Sequence, residues 1–168
     1  MKTLYVLVGV PASGKSWYVE NKLLPYMKDA VYISTDKYVE QFAKEQGKTY
    51  SEVFDSVMSE CVNMMANDVV KARTENKDII WDQTSTTVAS RKKKFRMLPD
   101  YKAIAIVFPT PDRVEHKKRL DSRPGKIIPE YVLESMIGNF EQPTLDEGFA
   151  EIWTISTMAG VQTMYIVS

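Results

Sequence analysis

Short apolar runs alternate along this chain with longer stretches in which apolar positions recur every three or four residues. Leu4 to Val8, Ala30 to Ser34, Asp78 to Asp82 and Ala103 to Phe108 read as buried strands, rich in β-branched and aromatic residues. Trp17 to Met27 reads as a helix that should end near Pro25, and Tyr38 to Gln46 as one stopped by Gly47. Thr49-Tyr50-Ser51-Glu52 has the form of a capping box opening a longer helix, with Phe54, Val57, Met58, Cys61, Met65 and Val69 as its buried stripe. Ser90 to Arg96 predicts a helix ending before Pro99. Pro111 opens another that runs through Arg119 to about Arg123, where Pro124-Gly125 breaks it, and Pro129 starts the next. Gly148 to Ile155 and Gln162 to Val167 read as two further strands, the last an antiparallel edge.

Strands that alternate with helices predict an α/β fold: a mainly parallel, about five-stranded sheet with helices on both faces and a helical lid over residues 112–140. At 168 residues the chain suits one domain, residues 1–168, without repeat or linker. The charge is balanced, 22 Lys and Arg against 22 Asp and Glu, so any polyanion must be met by local clusters. The lone Cys61 falls within a helical apolar stripe, which predicts a reduced core thiol and, with it, a cytoplasmic address. The apolar run after Lys2 is too short for a secretion signal, and no stretch is long enough to span a membrane.

Chemistry enters at the end of the first strand. Gly9, Val10, Pro11, Ala12, Ser13, Gly14, Lys15 and Ser16 fit the G-x-x-x-x-G-K-[ST] phosphate loop without a mismatch, between a strand and a helix as that loop requires. Backbone NH groups from Gly9 to Trp17 are placed to hold the phosphates of ATP or another nucleoside triphosphate. Lys15 supplies a cation, and the Ser16 hydroxyl a ligand for Mg2+ at a helix N-terminus. Asp36, after the second strand, is the candidate base for an attacking hydroxyl, with a helix N-cap as its alternative. Asp82, after the third, is the candidate on the metal side, with capping of the loop from Gln83 to Thr87 as its alternative. Arg119 and Arg123, four residues apart, are candidates to close over the phosphates from one helix face, unless they belong to a solvated basic helix. His116 reads as a surface residue. The run from Arg91 to Arg96 is either a solvated face or a nucleic-acid footprint. Asn76-Lys77-Asp78 lacks the spacing of a guanine-reading motif, which argues against a switch GTPase.

These residues together resemble the phosphate-loop 5′-hydroxyl polynucleotide kinases of phage end healing and animal DNA repair. The resemblance extends to about Ile155. It rests on Gly9 to Ser16, Ile33-Ser34-Thr35-Asp36, Ile80-Trp81-Asp82-Gln83-Thr84-Ser85, Ala89-Ser90-Arg91, the basic helix with Ile128-Pro129, and most of all Phe140 to Phe149. It implies a P-loop kinase that uses ATP and Mg2+, with Asp36 as general base for a 5′-hydroxyl of DNA or RNA, Asp82 in the metal-side acid position, and Arg119 and Arg123 as lid arginines. Thr35 stands where the family has an arginine, and Gln83 and Ser85 where it has asparagines. The Asp-x-Asp-x-Thr motif of the phosphatase partner domain does not occur, so a kinase without end-trimming is expected. A small-molecule kinase acting on a nucleoside, sugar or antibiotic, and an ATP-gated nucleic-acid-binding module, are the competing expectations. Oligomeric state and the choice of DNA or RNA are left open by the sequence.

Overall fold

The computed structural model describes the whole chain, Met1–Ser168. One sheet of six strands runs through it in the order β2-β3-β1-β4-β5-β6. β1 (Thr3–Val8), β2 (Val31–Ser34), β3 (Ile79–Asp82), β4 (Lys102–Val107) and β5 (Glu151–Met158) pair in parallel, and β6 (Val161–Val167) closes the sheet antiparallel to β5. The expected architecture is therefore present, with its antiparallel edge. β1 and β4 are apolar at consecutive positions because both faces are covered. Leu4, Val6, Val8, Ile79, Trp81, Ala103, Ala105 and Val107 point to one face, where Met65 and Val69 meet them. Leu7, Ile80, Ile104 and Ile106 point to the other, against Tyr18, Val19 and Leu23.

Helix boundaries depart from the sequence reading where local chemistry decides them. α1 (Lys15–Tyr18) starts directly at the phosphate-loop lysine and widens into a π-helical stretch, Val19–Leu23, before Pro25 can interrupt it. α2 (Thr35–Gln46) begins as soon as β2 ends, three residues earlier than expected. α3 (Tyr50–Thr74) is capped by the Thr49 hydroxyl, which accepts from the Glu52 backbone NH at 3.2 Å. Its buried stripe is Val53, Val57, Cys61, Met65, Val69 and Ala72; Phe54 is one position off that stripe and stays exposed.

α4 (Val88–Met97) corrects the reading of the basic run. Arg91 is fully buried and Lys94 nearly so, which takes those two positions out of both a solvated face and a nucleic-acid surface, while Lys92, Lys93 and Arg96 stay exposed. Arg91 forms a forked ion pair with Glu147, at 2.8 and 3.0 Å, and donates to the Ser85 carbonyl at 2.9 Å. Lys94 donates to Gln83 Oε1 at 2.9 Å and lies 4.9 Å from the centre of the Trp81 ring. Burial and the neighbouring cations Lys93 and Arg91 lower its pKa to about 8. The segment from Phe140 to Phe149 is thus clamped to the back of the β3 loop through Glu147.

α5 (Arg113–Asp121) is capped by Asp112, two residues short of Arg123, and α6 (Glu130–Gly138) follows Pro129 as expected. No helix is long and apolar enough to cross a membrane. Arg91→Met would leave Glu147 and the Ser85 carbonyl buried without their donor. It is expected to cost about 3–5 kcal/mol of unfolding free energy. Urea denaturation measures this; a loss below about 1 kcal/mol would place the pair with ordinary exposed ion pairs.

Candidate active site

Parallel pairing brings the C-terminal ends of β1, β3 and β2 to one edge of the sheet, and each end carries part of the site. After β1 comes the phosphate loop. Its backbone turns through Gly14 at φ 100°, which favours a residue without a Cβ. The Gly9 NH donates to the Thr84 carbonyl at 2.9 Å, pinning the loop to the segment after β3. Lys15 is buried, and its Nζ donates back to the carbonyls of Gly9 and Val10 at 2.7 and 2.8 Å. The lysine thus holds the loop in shape from inside. Burial lowers its pKa to about 8, and the carboxylates of Asp82 and Asp36 work against that shift.

β3 delivers Asp82, which is 6% exposed. Its Oδ2 accepts from Ser16 Oγ at 2.9 Å and from the Tyr32 hydroxyl at 2.6 Å. The structure brings the two candidate metal-side residues together, and adds Tyr32, a β2 residue that nothing in the sequence marked. Burial and the Asp82 carboxylate drive the Tyr32 pKa far up, so it stays a donor. The donor set of Ser16 and Asp82 is all oxygen with one carboxylate. No cluster of three His, Cys, Asp or Glu side chains exists to cage an ion. This suits Mg2+, which takes one or two protein oxygens and fills its shell with water and phosphate.

β2 delivers Asp36 in the first turn of α2, with Ser34 in the N-cap position, so Asp36 is not the N-cap. Its carboxylate instead faces the cleft: Oδ1 accepts from the Tyr50 hydroxyl at 2.6 Å and Oδ2 from Lys126 Nζ at 3.0 Å. Burial raises its pKa, but Lys126, the Tyr50 hydroxyl and Arg123 outweigh this and leave it below the usual carboxylate value. Tyr50 and Lys126 were invisible as site residues in the sequence. Tyr50 read as part of a helix cap, and Lys126 is a lone lysine after Pro124-Gly125.

The lid arginines separate. Arg119 lies on α5, paired with Glu115 at 2.8 Å, and donates to the Ala12 carbonyl at 3.4 Å, beside the phosphate loop. Arg123 lies past the end of α5, so the two do not share a helix face. Its side chain lines the cleft with Lys15 and Asp36, and its Nη1 is buried without a partner. His116 is buried rather than at the surface, with Nε2 2.8 Å from the Pro11 carbonyl. It fastens α5 to the phosphate loop.

A cleft of about 760 Å³ is lined by Lys15, Ser16, Asp36, Asp82, Arg123 and Lys126, with Arg119 and His116 outside it. Pro11, Ala12, Gly14, Lys15, Ser16 and Trp17 form one end, while Ser13 is buried beneath the loop. Phe54 and Met58 of α3 face Val132 and Met136 of α6 at the other, an apolar wall on the far side of Asp36. The methionine-rich helix therefore serves both the core and the cleft, Met65 the first and Met58 the second.

A family model described as an AAA domain matches residues 4–143. Among solved structures, the chain is similar to one in a Pnkp1/Rnl/Hen1 RNA repair complex, with TM-score 0.63 and 24% identity over 82% of this chain and 43% of that one. It is similar to a fungal RNA kinase at TM-score 0.54 and 14% identity, over 92% of this chain and 38% of that one. A gluconokinase from Sinorhizobium meliloti gives TM-score 0.52 and 15% identity over 91% of this chain and 81% of that one. The chain thus spans less than half of either RNA-related structure. These likenesses show the fold, that of P-loop kinases, in agreement with the resemblance read from the sequence.

If a triphosphate binds the loop, it calls for the charged form of Lys15, whose pKa burial lowers to about 8. Below that pH the cation is already present; above it, binding must take up a proton. ATP affinity should therefore be flat up to about pH 8 and fall above it, approaching tenfold per pH unit. Titration calorimetry from pH 7 to 9.5 tests this expectation. An affinity unchanged across that range would contradict a half-neutralised lysine.

Proposed function

Since the chain belongs to the AAA-domain family matched over residues 4–143, we propose that it is an ATP-dependent kinase that transfers the γ-phosphate to the 5′-hydroxyl end of DNA or RNA, in end healing or repair. The observation that carries this reading is the Asp36 carboxylate, held by Tyr50 and Lys126 across the same cleft from Lys15 and Ser16. A nucleotide switch has no need of a second carboxylate on the open side of its phosphates. A kinase needs one.

In the reaction, the hydroxyl oxygen of the acceptor bonds to the γ-phosphorus as the bond from that phosphorus to the bridging oxygen breaks, releasing ADP. The proton passes to Asp36. Two donors leave lone pairs on this carboxylate for a third, so the acceptor can bind without displacing Tyr50. Its lowered pKa keeps it ionised, and a loose transition state asks little base strength of it. Lys15 and the backbone NH groups from Ala12 to Trp17 hold the donor phosphates. Arg119 stands beside the loop, and the unpartnered Nη1 of Arg123 is available to charge that develops on the transferred group. Ser16 and Asp82 would hold Mg2+, with Tyr32 fixing the carboxylate. When bound, that ion neutralises charge on the outer phosphates.

A small-molecule acceptor is the second reading, favoured by the gluconokinase likeness, which covers most of both chains. Transfer of labelled γ-phosphate to a 5′-hydroxyl oligonucleotide separates them; labelling of sugars or nucleosides alone would reject the polynucleotide reading. Asp36→Asn should abolish transfer to any acceptor while ATP binding persists, and retained turnover would remove Asp36 from the role of base. Arg123→Ala should slow kcat by about 10²-fold or more, against a mainly KM effect if it only binds ground-state phosphates.

A further inference from the structure

A second groove of about 740 Å³ meets the first at Ser16, Asp36, Tyr50, Arg123 and Lys126, and runs away from the phosphate loop along α2. Its character is opposite to that of the apolar wall. Five cations line it: Lys37, Lys44, Lys48, Arg123 and Lys126. Of these, Lys37 is paired with Glu20 at 2.9 Å, and Lys126 with Asp36 and Glu40 at 3.0 and 3.5 Å. Lys44 and Lys48 have no acidic partner, both are exposed, and Arg123 keeps a buried Nη1 without an acceptor. The groove therefore holds more positive charge than its own carboxylates neutralise, in a protein whose net charge is zero.

The order of these charges follows from the helix. Asp36, Glu40 and Lys44 are spaced by four residues, so they share one face of α2. Lys44 lies about 12 Å along the axis from Asp36, and Lys48 follows beyond the end of the helix. A hydroxyl placed at Asp36 has unpaired lysines ahead of it at a distance that successive phosphates of a chain reach, since a stacked strand advances about 3.4 Å per nucleotide. A sugar or free nucleoside would fill the Asp36 end alone and leave this groove unused.

We propose that the groove along α2 binds the phosphodiester backbone of the acceptor strand, with Lys44 and Lys48 on the phosphates downstream of the 5′ end. This rests on the polynucleotide reading above and assigns that strand a path, on α2 rather than on the basic run of α4. The contacts are backbone contacts, so they add affinity without choosing sequence. Lys126, which bonds Asp36 at the junction, stands where the first phosphate after the hydroxyl would arrive.

The test is the double variant Lys44→Gln/Lys48→Gln, with Lys92→Gln/Lys93→Gln on α4 as control. All four side chains are exposed, and circular dichroism checks that each variant is folded. With a 5′-hydroxyl decanucleotide, the α2 variant should show kcat unchanged, KM raised about tenfold at low salt, and a slope of log Kobs against log salt shallower by about 1.4, from 0.7 per single-strand phosphate contact. With a nucleoside 3′-monophosphate as acceptor it should match the unmodified protein. The control should change none of these. If the unmodified protein phosphorylates the decanucleotide and the α2 variant leaves KM and slope alone, or the α4 control raises KM and flattens the slope equally, the path is wrong and the polynucleotide reading stands. If the unmodified protein phosphorylates no oligonucleotide, both fall.

Discussion

One buried carboxylate holds the working edge of this protein together. Asp82 ends β3, receives the Ser16 hydroxyl from the start of α1 and the Tyr32 hydroxyl from β2, and is almost wholly removed from water. A charge so buried is tolerated only where donors surround it. The two hydroxyls and the nearby Lys15 cation meet that demand, and in doing so they tie three chain segments into one surface. The order β2-β3-β1 makes this possible, because it sets the carboxylate strand between the strand of the phosphate loop and the strand that leads into Asp36. The loop is closed from the other side by the bond from the Gly9 NH to the Thr84 carbonyl. The conformation of the loop is thus held by the chain's own hydrogen bonds, the Lys15 side chain included.

What the sequence disclosed were features whose chemistry is local. The phosphate loop declares itself by glycine spacing, the strands by apolar runs, and Asp82 and Asp36 by their place directly after strands. What it hid depended on partners distant along the chain. Arg91 and Lys94 read as surface charge because charge runs usually are; they are buried because Glu147, 56 residues on, and Gln83 supply acceptors. His116 read as exposed because its helix is strongly charged, yet its one apolar-facing position meets the Pro11 carbonyl 105 residues away. Phe54 sat one place off the helical stripe, a displacement that periodicity alone reads as core and the cleft uses as wall. Nothing local marked Tyr32, Tyr50 or Lys126 as site residues, because each reaches its carboxylate across the fold.

The match over Phe140 to Phe149 changes meaning in three dimensions. In sequence it was the feature that pointed most sharply to a polynucleotide acceptor. In the structure its Glu147 caps Thr144 and pairs with Arg91, which holds the Ser85 carbonyl behind the loop that follows Asp82. That segment braces the floor of the site and does not line the cleft. Similarity there speaks for a shared way of supporting the β3 loop, and the identity of the acceptor has to be read from surfaces that touch it.

Those surfaces are where the chain departs from its resemblance. Thr35 stands where the kinases that the sequence resembles have an arginine, and the ion pair of Asp36 comes from outside its own helix. Lys126 supplies it from the segment after α5, 90 residues away, with its Nζ 4.4 Å from the centre of the Tyr50 ring. Its position is secured by backbone: Gly125, at φ 71°, passes so close to Thr49 that a Cβ would sit 2.7 Å from the threonine Cβ, and the Gly125 carbonyl accepts from the Ser51 NH at 3.0 Å. Lys126 thus stands beside Asp36 because the segment from Pro124 to Ile127 packs on the N-terminus of α3, where the Ile127 NH donates to Ser51 Oγ at 2.8 Å. Asp36, Lys126, Tyr50 and the start of α3 are thereby tied into one connected set of contacts.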